Sequence, residues 1–311
     1  MTARHVLITG GAGFIGSNLA DAFLARDWRV SVIDNFVTGE RANVDARVEL
    51  IEGDLRDAKT LDVIDRLKPD VISHQAAQVD VRISVADPAA DAETNILASI
   101  RLLQKAKEAG VSRFVFASSG GAIYGEPVIA PQPESHPAMP LSPYGCAKLT
   151  VEHYMHYFRE VQRLNTIALR YANVYGPRQS AKGEAGVVAI FANRLLHGEE
   201  VTINGSGEQT RDFVYVGDVV AANVAVAENA ALEGPFNVGT GVEITINELS
   251  SRMAAIVGVS SEAQHGPGKA GEQMRSVLDA RKLRELAKLG EPVAIDDGLR
   301  KTIDWFRLHT R

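Results

Sequence analysis

Short apolar runs alternate along the chain with longer stretches in which apolar positions recur every three or four residues. Val6 to Ile8, Val30 to Ile33, Val48 to Ile51, Val71 to Ser73, Phe114 to Ala117 and Thr166 to Leu169 are runs rich in β-branched and aromatic residues. Such runs predict strands covered on both faces. Ile15 to Ala25, Ala58 to Leu67, Ala89 to Ala109 and Tyr144 to Val161 carry their apolar residues on one face at helical spacing, which predicts helices. Strand and helix alternate, and a strand–helix–strand crossover joins parallel neighbours with a right-handed turn. The expectation is an α/β protein on a doubly wound parallel sheet.

After about Asn173 the texture changes. Tyr175-Gly176-Pro177-Arg178, a polar loop from Gln179 to Gly186 and the turn Asn204-Gly205-Ser206-Gly207 interrupt the alternation. Later segments read as a helix from Gly217 to Asn229, a strand from Phe236 to Val238, a helix from Ile246 to Val257 and a terminal helix from Asp296 to Leu308. The division expected is 1–172 for the first domain and 173–311 for a smaller α/β substrate-binding domain, with some later segments returning to the first sheet.

Composition narrows the function classes. The 311 residues are 45% hydrophobic with a net charge of −6, and the mean hydropathy is −0.05 with a pI near 5.8. A chain of this kind buries a sizeable core. An acidic balance argues against a broad nucleic-acid or anionic-membrane surface. The single cysteine, Cys146, excludes an intrachain disulfide framework and a cysteine-rich metal centre, and suits a reducing cytoplasm. It reads as a small packing residue. Met1 to His5 run straight into Val6 to Ile8, leaving no room for a signal peptide. No apolar run approaches the roughly 18 residues that span a bilayer, so a cytoplasmic protein without a metal is expected.

Chemistry enters with two motifs. Gly10-Gly11-Ala12-Gly13-Phe14-Ile15-Gly16 follows the first strand and opens the first helix; from Gly11 it fits G-x-G-x-x-G, the Rossmann-type fingerprint for a dinucleotide. Glycines there permit the tight turn and close approach of backbone to a pyrophosphate, which the helix N-terminus attracts. Asp34 ends the second strand 18 positions after Gly16, where a carboxylate accepts from a ribose diol and repels a 2′-phosphate. NAD is therefore expected over NADP. The competing role for Asp34 is to start a turn before Asn35. Asp54, in Gly53-Asp54-Leu55 after the third strand, suits an adenine amino group or, almost equally, a helix cap. Gln75, Ala76 and Ala77 follow the fourth strand, and the small residues permit close approach of the dinucleotide. His74 beside them reads as a satisfied structural histidine.

The second motif is Tyr144 with Lys148. Four residues apart on a helix, they share a face. A cation beside a phenol favours the phenolate and lowers its pKa from the usual value of about 10. Tyr144 is thus a candidate general base.

Together these residues resemble the extended short-chain dehydrogenase/reductase family, in its NAD-dependent epimerase/dehydratase branch, and within that branch the UDP-glucose 4-epimerases. The resemblance covers nearly the whole chain. It rests on Thr9 to Gly16, Asp34-Asn35, Gly53-Asp54-Leu55, His74 to Ala77, Phe116 to Gly125, Tyr144 with Lys148, Leu169 to Asn173 and Gln209 to Val214. It implies that Tyr144 takes the proton of a sugar 4-hydroxyl while NAD takes the hydrogen from the carbon, and that return to the opposite face inverts the centre. Lys148 would support Tyr144 and hold the nicotinamide ribose.

Departures from the family pattern matter. The family's catalytic Ser or Thr stands four positions before the tyrosine of the Tyr124-Gly125 pair, which here is Gly120. Ser119 is the expected substitute, ahead of Ser118, which is expected beside the cofactor; a plain turn is the other reading of Ser119. Gly120-Gly121-Ala122 brings none of the carboxylates with which 4,6-dehydratases and decarboxylases work, so epimerisation is expected over those reactions. A non-catalytic NAD-binding regulator is a further alternative, one that would not need the Tyr144 and Lys148 pair.

On the substrate side the resemblance implies that Asn173 meets the nucleotide-sugar diphosphate and Arg211 neutralises it, with a pair to Asp212 as the plainer role for Arg211. Lys269 with Glu272 replaces an arginine-bearing pattern. Val187 and Val188 would line the pocket, although such residues are more often core. Ser276, small at the position that gates N-acetyl sugars, implies that UDP-N-acetylglucosamine is accepted. The resemblance also implies a homodimer through helices carrying Ile96, Ile100, Leu103, Met155 and Phe158, for which packing within one subunit is the other reading.

Overall fold

The computed structural model describes residues 3–181, 186–260, 263–268 and 273–309. Six strands of the first half are β1 (His5–Thr9), β2 (Arg29–Asp34), β3 (Glu49–Glu52), β4 (Val71–His74), β5 (Arg113–Ser119) and β6 (Thr166–Tyr171). Each falls within two residues of an expected run. Between them lie α1 (Phe14–Leu24), α2 (Ala58–Leu67), α3 (Val81–Ala86), α4 (Pro88–Ala92), α5 (Ala98–Glu108), α6 (Gly120–Ile123) and α7 (Pro143–Glu160). The single helix expected from Ala89 to Ala109 is α4 and α5 joined by a π-helical turn at Glu93–Leu97.

The second half supplies β7 (Asn173–Tyr175), α8 (Val187–Leu196), β8 (Thr202–Asn204), β9 (Thr210–Tyr215), α9 (Val216–Glu228), β10 (Gly234–Val238), β11 (Glu243–Thr245), α10 (Ile246–Val257), β12 (Gln264–Gly266), α11 (Arg281–Ala287) and α12 (Ile295–His309). β10 pairs parallel with β6 and closes one edge of a seven-stranded sheet ordered β10-β6-β5-β4-β1-β2-β3. α9 packs on α1. The order reverses between β4 and β1, so the segments leaving their C-terminal ends diverge and open a crevice where ligands of such sheets bind.

Three apolar clusters hold these layers. One lies under α1 and α9 and includes Phe23, Val32, Leu169, Phe236 and Leu278. A second lies on the other face, under α2, α5 and α7, and includes Ile64, Leu103, Phe116, Met155 and Phe158. A third joins β7, α8, α10 and α12 through Tyr175, Val188, Phe191, Met253 and Phe306. Each such side chain, fully buried, contributes on the order of 1.5–3 kcal/mol.

Leu103, Met155 and Phe158 thus belong to their own subunit's core, which corrects their expected place at a dimer face. The large apolar residues left exposed on these helices or at their ends are Leu97, Tyr154, Tyr157 and Val161. Cys146 is exposed as well, not a packing residue, because it occupies the solvent side of α7. Among the described residues no helix is long and apolar enough to cross a membrane.

Candidate active site

The glycine turn is built for close approach. Gly10 has φ +68°, and a Cβ there would lie 2.7 Å from the Ala76 backbone nitrogen. A side chain at Gly16 would run into the Gly10 carbonyl, so α1 can sit tightly against the turn only with glycine. Gly13 differs: a Cβ would meet only the Gly10 oxygen at 3.3 Å. Gly13 is also the N-cap of α1, with no side-chain cap. The first N–H groups of that helix, including those of Phe14 and Ile15, have no intrahelical acceptor and suit a phosphate.

Asp34 is 7% exposed. Its carboxylate accepts from the N–H of Ala12 at 2.9 Å and of Phe36 at 2.8 Å, which locks it against the glycine turn. The turn-starting role and the register with the glycines are therefore both present. Asp54 accepts from Arg56 and from Asn35 Nδ2 at 3.0 Å, and Arg56 holds its carboxyl well below the usual range. It does not cap α2; Asp57 does, accepting from the Lys59 N–H. Leu55 packs on the second cluster. The Gln75 side chain is fixed by Ser73 and Asn223, with the Tyr171 hydroxyl on its oxygen at 3.3 Å. Next to it, Ala76 and Ala77 leave the crevice wall without bulk. An uncapped helix start, a glycine turn that excludes Cβ atoms and a carboxylate at the end of β2 fit a dinucleotide such as NAD. His74 is 2% exposed and held between Thr9 Oγ1 at 2.7 Å and Ser99 Oγ at 2.9 Å. Burial, with Lys148 nearby, pushes its pKa down to about 3, so it is a neutral structural residue.

α7 begins sharply because Ser142 caps it, accepting from the Gly145 N–H at 3.1 Å, and Pro143 occupies the first turn. That start fixes Tyr144 and Lys148. Lys148 is 3% exposed; its Nζ donates to the Ala117 carbonyl on β5 at 2.8 Å and lies 4.6 Å from the Phe116 ring centre and 5.6 Å from that of Tyr144. Ser119 stands at the N-cap of α6, near enough to the Tyr144 phenol to favour its ionisation. The expected lowering of the phenol pKa by Lys148 is not what the geometry gives. Burial pushes Tyr144 well above its ordinary value, Ser119 offsets part of this, and the carboxylate of Asp91 adds to the rise. The ammonium is directed at a carbonyl on β5, and desolvation outweighs its field at the phenol.

The structure separates the two serines. Ser118 Oγ donates to Glu152 at 2.5 Å and is 3% exposed; Glu152 in turn grips Arg170 through Nε and Nη2, the latter at 2.6 Å. Successive strand residues point to opposite faces. Ser118 therefore turns its side chain into a buried ion-pair network, while Ser119 turns to Tyr144.

Gly120 has a physical cause. A Cβ there would lie 2.5 Å from Leu278 Cδ1, so Leu278 fills the space a family serine would need. A Cβ on Gly121 would face open ground between Asn173 Oδ1 and Ser276 Oγ, 3.8 Å from each. Asn173 and Ser276 are thus brought together beside Gly121 of α6. Ser276 is 2% exposed, and its carbonyl accepts from the Asp212 N–H at 2.9 Å. The Asp212 carboxylate accepts from Thr240, Gly241 and Leu278. Arg211 is partly buried, with Nη1 donating to the Thr210 carbonyl at 2.8 Å. Val188 is 1% exposed inside the third cluster, which corrects its expected place in the pocket: α8 turns it inward. Val187 packs against the same cluster. Lys269 and Glu272 lie outside the described residues.

Two residues that shape the site escape sequence reasoning. Leu278 carries no motif, and Asp91 is a lone acid in Ala89-Ala90-Asp91-Ala92. Its position on the inward side of a helix was the one available signal. Two open surface clefts, of about 530 Å³ beside Arg252, Asp296 and Arg307 and about 460 Å³ beside Glu134 and Lys282, contain none of the residues above.

Comparison with known proteins agrees with this geometry. The model of a family described as NAD dependent epimerase/dehydratase matches residues 6–239. The UDP-glucose 4-epimerase of Mycolicibacterium smegmatis is 41% identical over 308 residues, spanning 97% of this chain and 98% of its own. A crystal structure of UDP-glucose 4-epimerase with UDP-glucose, from Thermotoga maritima, superposes with a TM-score of 0.95 at 43% identity, covering 99% of this chain and 100% of that one. The UDP-glucose 4-epimerase of Thermus thermophilus, complexed with NAD, gives 0.93 at 43% identity, covering 98% and 99%.

Proposed function

Since this chain belongs to the NAD-dependent epimerase/dehydratase family, we propose that it interconverts the C4 epimers of a UDP-sugar, UDP-glucose and UDP-galactose first. The observation that carries this is the placement of Ser119 beside the Tyr144 phenol, next to the short helix α6, in which Gly120, Gly121 and Ala122 bring no carboxylate. A base and a polarising hydroxyl suffice for oxidation and reduction at one carbon. Elimination of water or loss of CO₂ calls for a further acid or base. NAD held by the glycine turn and Asp34 would supply a reversible acceptor for the hydride of the sugar carbon.

The chain's own residues do the rest. Tyr144 accepts the 4-hydroxyl proton and later returns it, with Ser119 donating to the oxygen that changes charge. Lys148 fixes β5 to α7 through Ala117 and stands as the cation behind the phenol. Asp34, Phe14 and Ile15 hold the cofactor end; Asn173 and Arg211 take the diphosphate, an anion to which amide and guanidinium donors are suited. Ser276 and Gly121 leave room for an N-acetyl group, so the acetamido sugar belongs to the substrate range.

A homodimer through the exposed side of α7 and the π-helical turn before α5 is part of the same reading, supported by Leu97, Tyr154, Tyr157 and Val161, each more than 40% exposed. So is a cytoplasmic place, for which the unpaired Cys146 speaks. The test is direct: UDP-galactose should form from UDP-glucose with no net NADH. Tyr144→Phe should lower the rate by about 10²–10⁴-fold with the fold intact by circular dichroism. A phenylalanine variant as fast as the unaltered enzyme would end the proposal.

A further inference from the structure

Asp91 is a buried acid that the proposed chemistry does not use. It is 1% exposed on α4, and α4 packs against α7. Its two hydrogen bonds come from neutral amides and go to one oxygen: Gln78 Nε2 donates to Oδ1 at 3.0 Å and Asn95 Nδ2 at 2.8 Å. Asn95 also clamps the Gln78 backbone, accepting its N–H and donating to its carbonyl at 2.9 Å each. The carboxylate is thereby held rigidly. A buried anion given only neutral donors is costly unless an opposite charge lies close. Across the α4 and α7 contact the buried cation is Lys148, itself 3% exposed and fixed on the Ala117 carbonyl; it makes no direct ion pair with Asp91 and acts on it through space.

We propose that Asp91 is the buried counter-charge of Lys148, a positioning residue that keeps the ammonium protonated beside Tyr144. It rests on reading Tyr144 and Lys148 as the catalytic pair. Burial pushes Lys148 down to about 8, and Asp91 is the largest influence opposing this, with Glu152 second. Glu152, on α7 itself, is committed to Arg170 of β6. His74, facing from β4, is kept neutral by its burial. On the far side, Arg82 of α3 pairs with Asp80. Among the described residues, Asp91 is therefore the carboxylate near Lys148 that is not committed to a guanidinium.

The sign follows. Without the negative charge Lys148 loses its proton at lower pH. Tyr144, whose pKa Asp91 raises, also ionises at lower pH. Both limbs of the pH–rate profile should move the same way.

Asp91→Asn tests this cleanly, since it removes the charge and keeps Oδ1 with both of its hydrogen bonds. The expected result is a shift of both limbs toward acid by on the order of one pH unit. The Lys148 Cε resonance, followed by NMR in ¹³C-lysine-labelled protein, should shift its midpoint by the same amount. Asp91→Ser, which loses hydrogen bonds as well as charge, should give the same displacement. A slower enzyme with unmoved limbs and an unmoved Lys148 midpoint would make Asp91 merely structural and overturn the proposal. If the unaltered protein epimerised no sugar while the Lys148 midpoint still tracked Asp91, the functional reading would fall and this one would stand.

Discussion

Leu278 decides that position 120 is glycine, and the idea can be tested by restoring the family's serine there. The φ of Gly120 is not in the left-handed region, so the backbone accepts a side chain. In α6 a serine even gains a few tenths of a kcal/mol over glycine in helix propensity. Against this stands a collision: Cβ would lie 2.5 Å from Leu278 Cδ1 and 2.9 Å from Cδ2. Leu278 cannot easily retreat, being 0% exposed and tied by its N–H to Asp212 at 3.2 Å. Overpacking of this kind costs about 1–3 kcal/mol. Gly120→Ser should therefore destabilise the protein by about 1–2 kcal/mol after the helix gain. Leu278→Ala alone should cost about 2–5 kcal/mol by leaving a cavity. In the double variant the serine enters the space left by the leucine, so the two costs should fall short of their sum by about 1 kcal/mol or more. Urea unfolding of the four proteins measures this coupling. A neutral Gly120→Ser, or costs that simply add, would refute the claim that Leu278 moved the catalytic hydroxyl to Ser119.

Ser119→Ala should lower turnover by about 10²-fold or more, whereas Ser118→Ala, which cuts a bond to Glu152, should act mainly on stability; equal kinetic losses would sink the assignment. Ser276→Tyr should abolish use of UDP-N-acetylglucosamine and spare UDP-glucose, measured as the ratio of the two kcat/KM values, because the bulk enters beside Gly121 and Asn173. His74 gives an acid-stability prediction: with its folded pKa pushed down to about 3, the unfolded chain binds a proton below its ordinary value and the native state does not. Stability is thus full above about pH 6.5 and lost as pH falls toward 3, by roughly 3 kcal/mol at pH 4.5. Unfolding of His74→Asn, compared at pH 7 and 4.5, should show a flatter dependence than the unaltered protein.

The strands β1 to β6 and helices α1, α2, α7 and α10 were legible because each is long enough for its periodicity to show, and because the burial that the periodicity encodes is what forms it. The glycine turn and the Tyr144 and Lys148 pair were legible for the same kind of reason: both are local, set by spacing along one turn or one helix. The short elements α3, α6 and α11 and the three-residue strands β7, β8, β11 and β12 carry too few residues for a pattern.

Roles that depend on neighbours distant in the chain had to come from the fold. Which serine meets Tyr144 follows from strand alternation and from Leu278, and neither Val188's burial nor Cys146's exposure can be read from residue type. The direction of the Tyr144 pKa shift is the sharpest case. Spacing put a cation on the phenol's helix, but desolvation by the whole surrounding core, and the field of Asp91 from another helix, set the sign. Periodicity along a chain records which face is buried; a side chain's chemistry is set by what meets it through space, and only the assembled layers fix that.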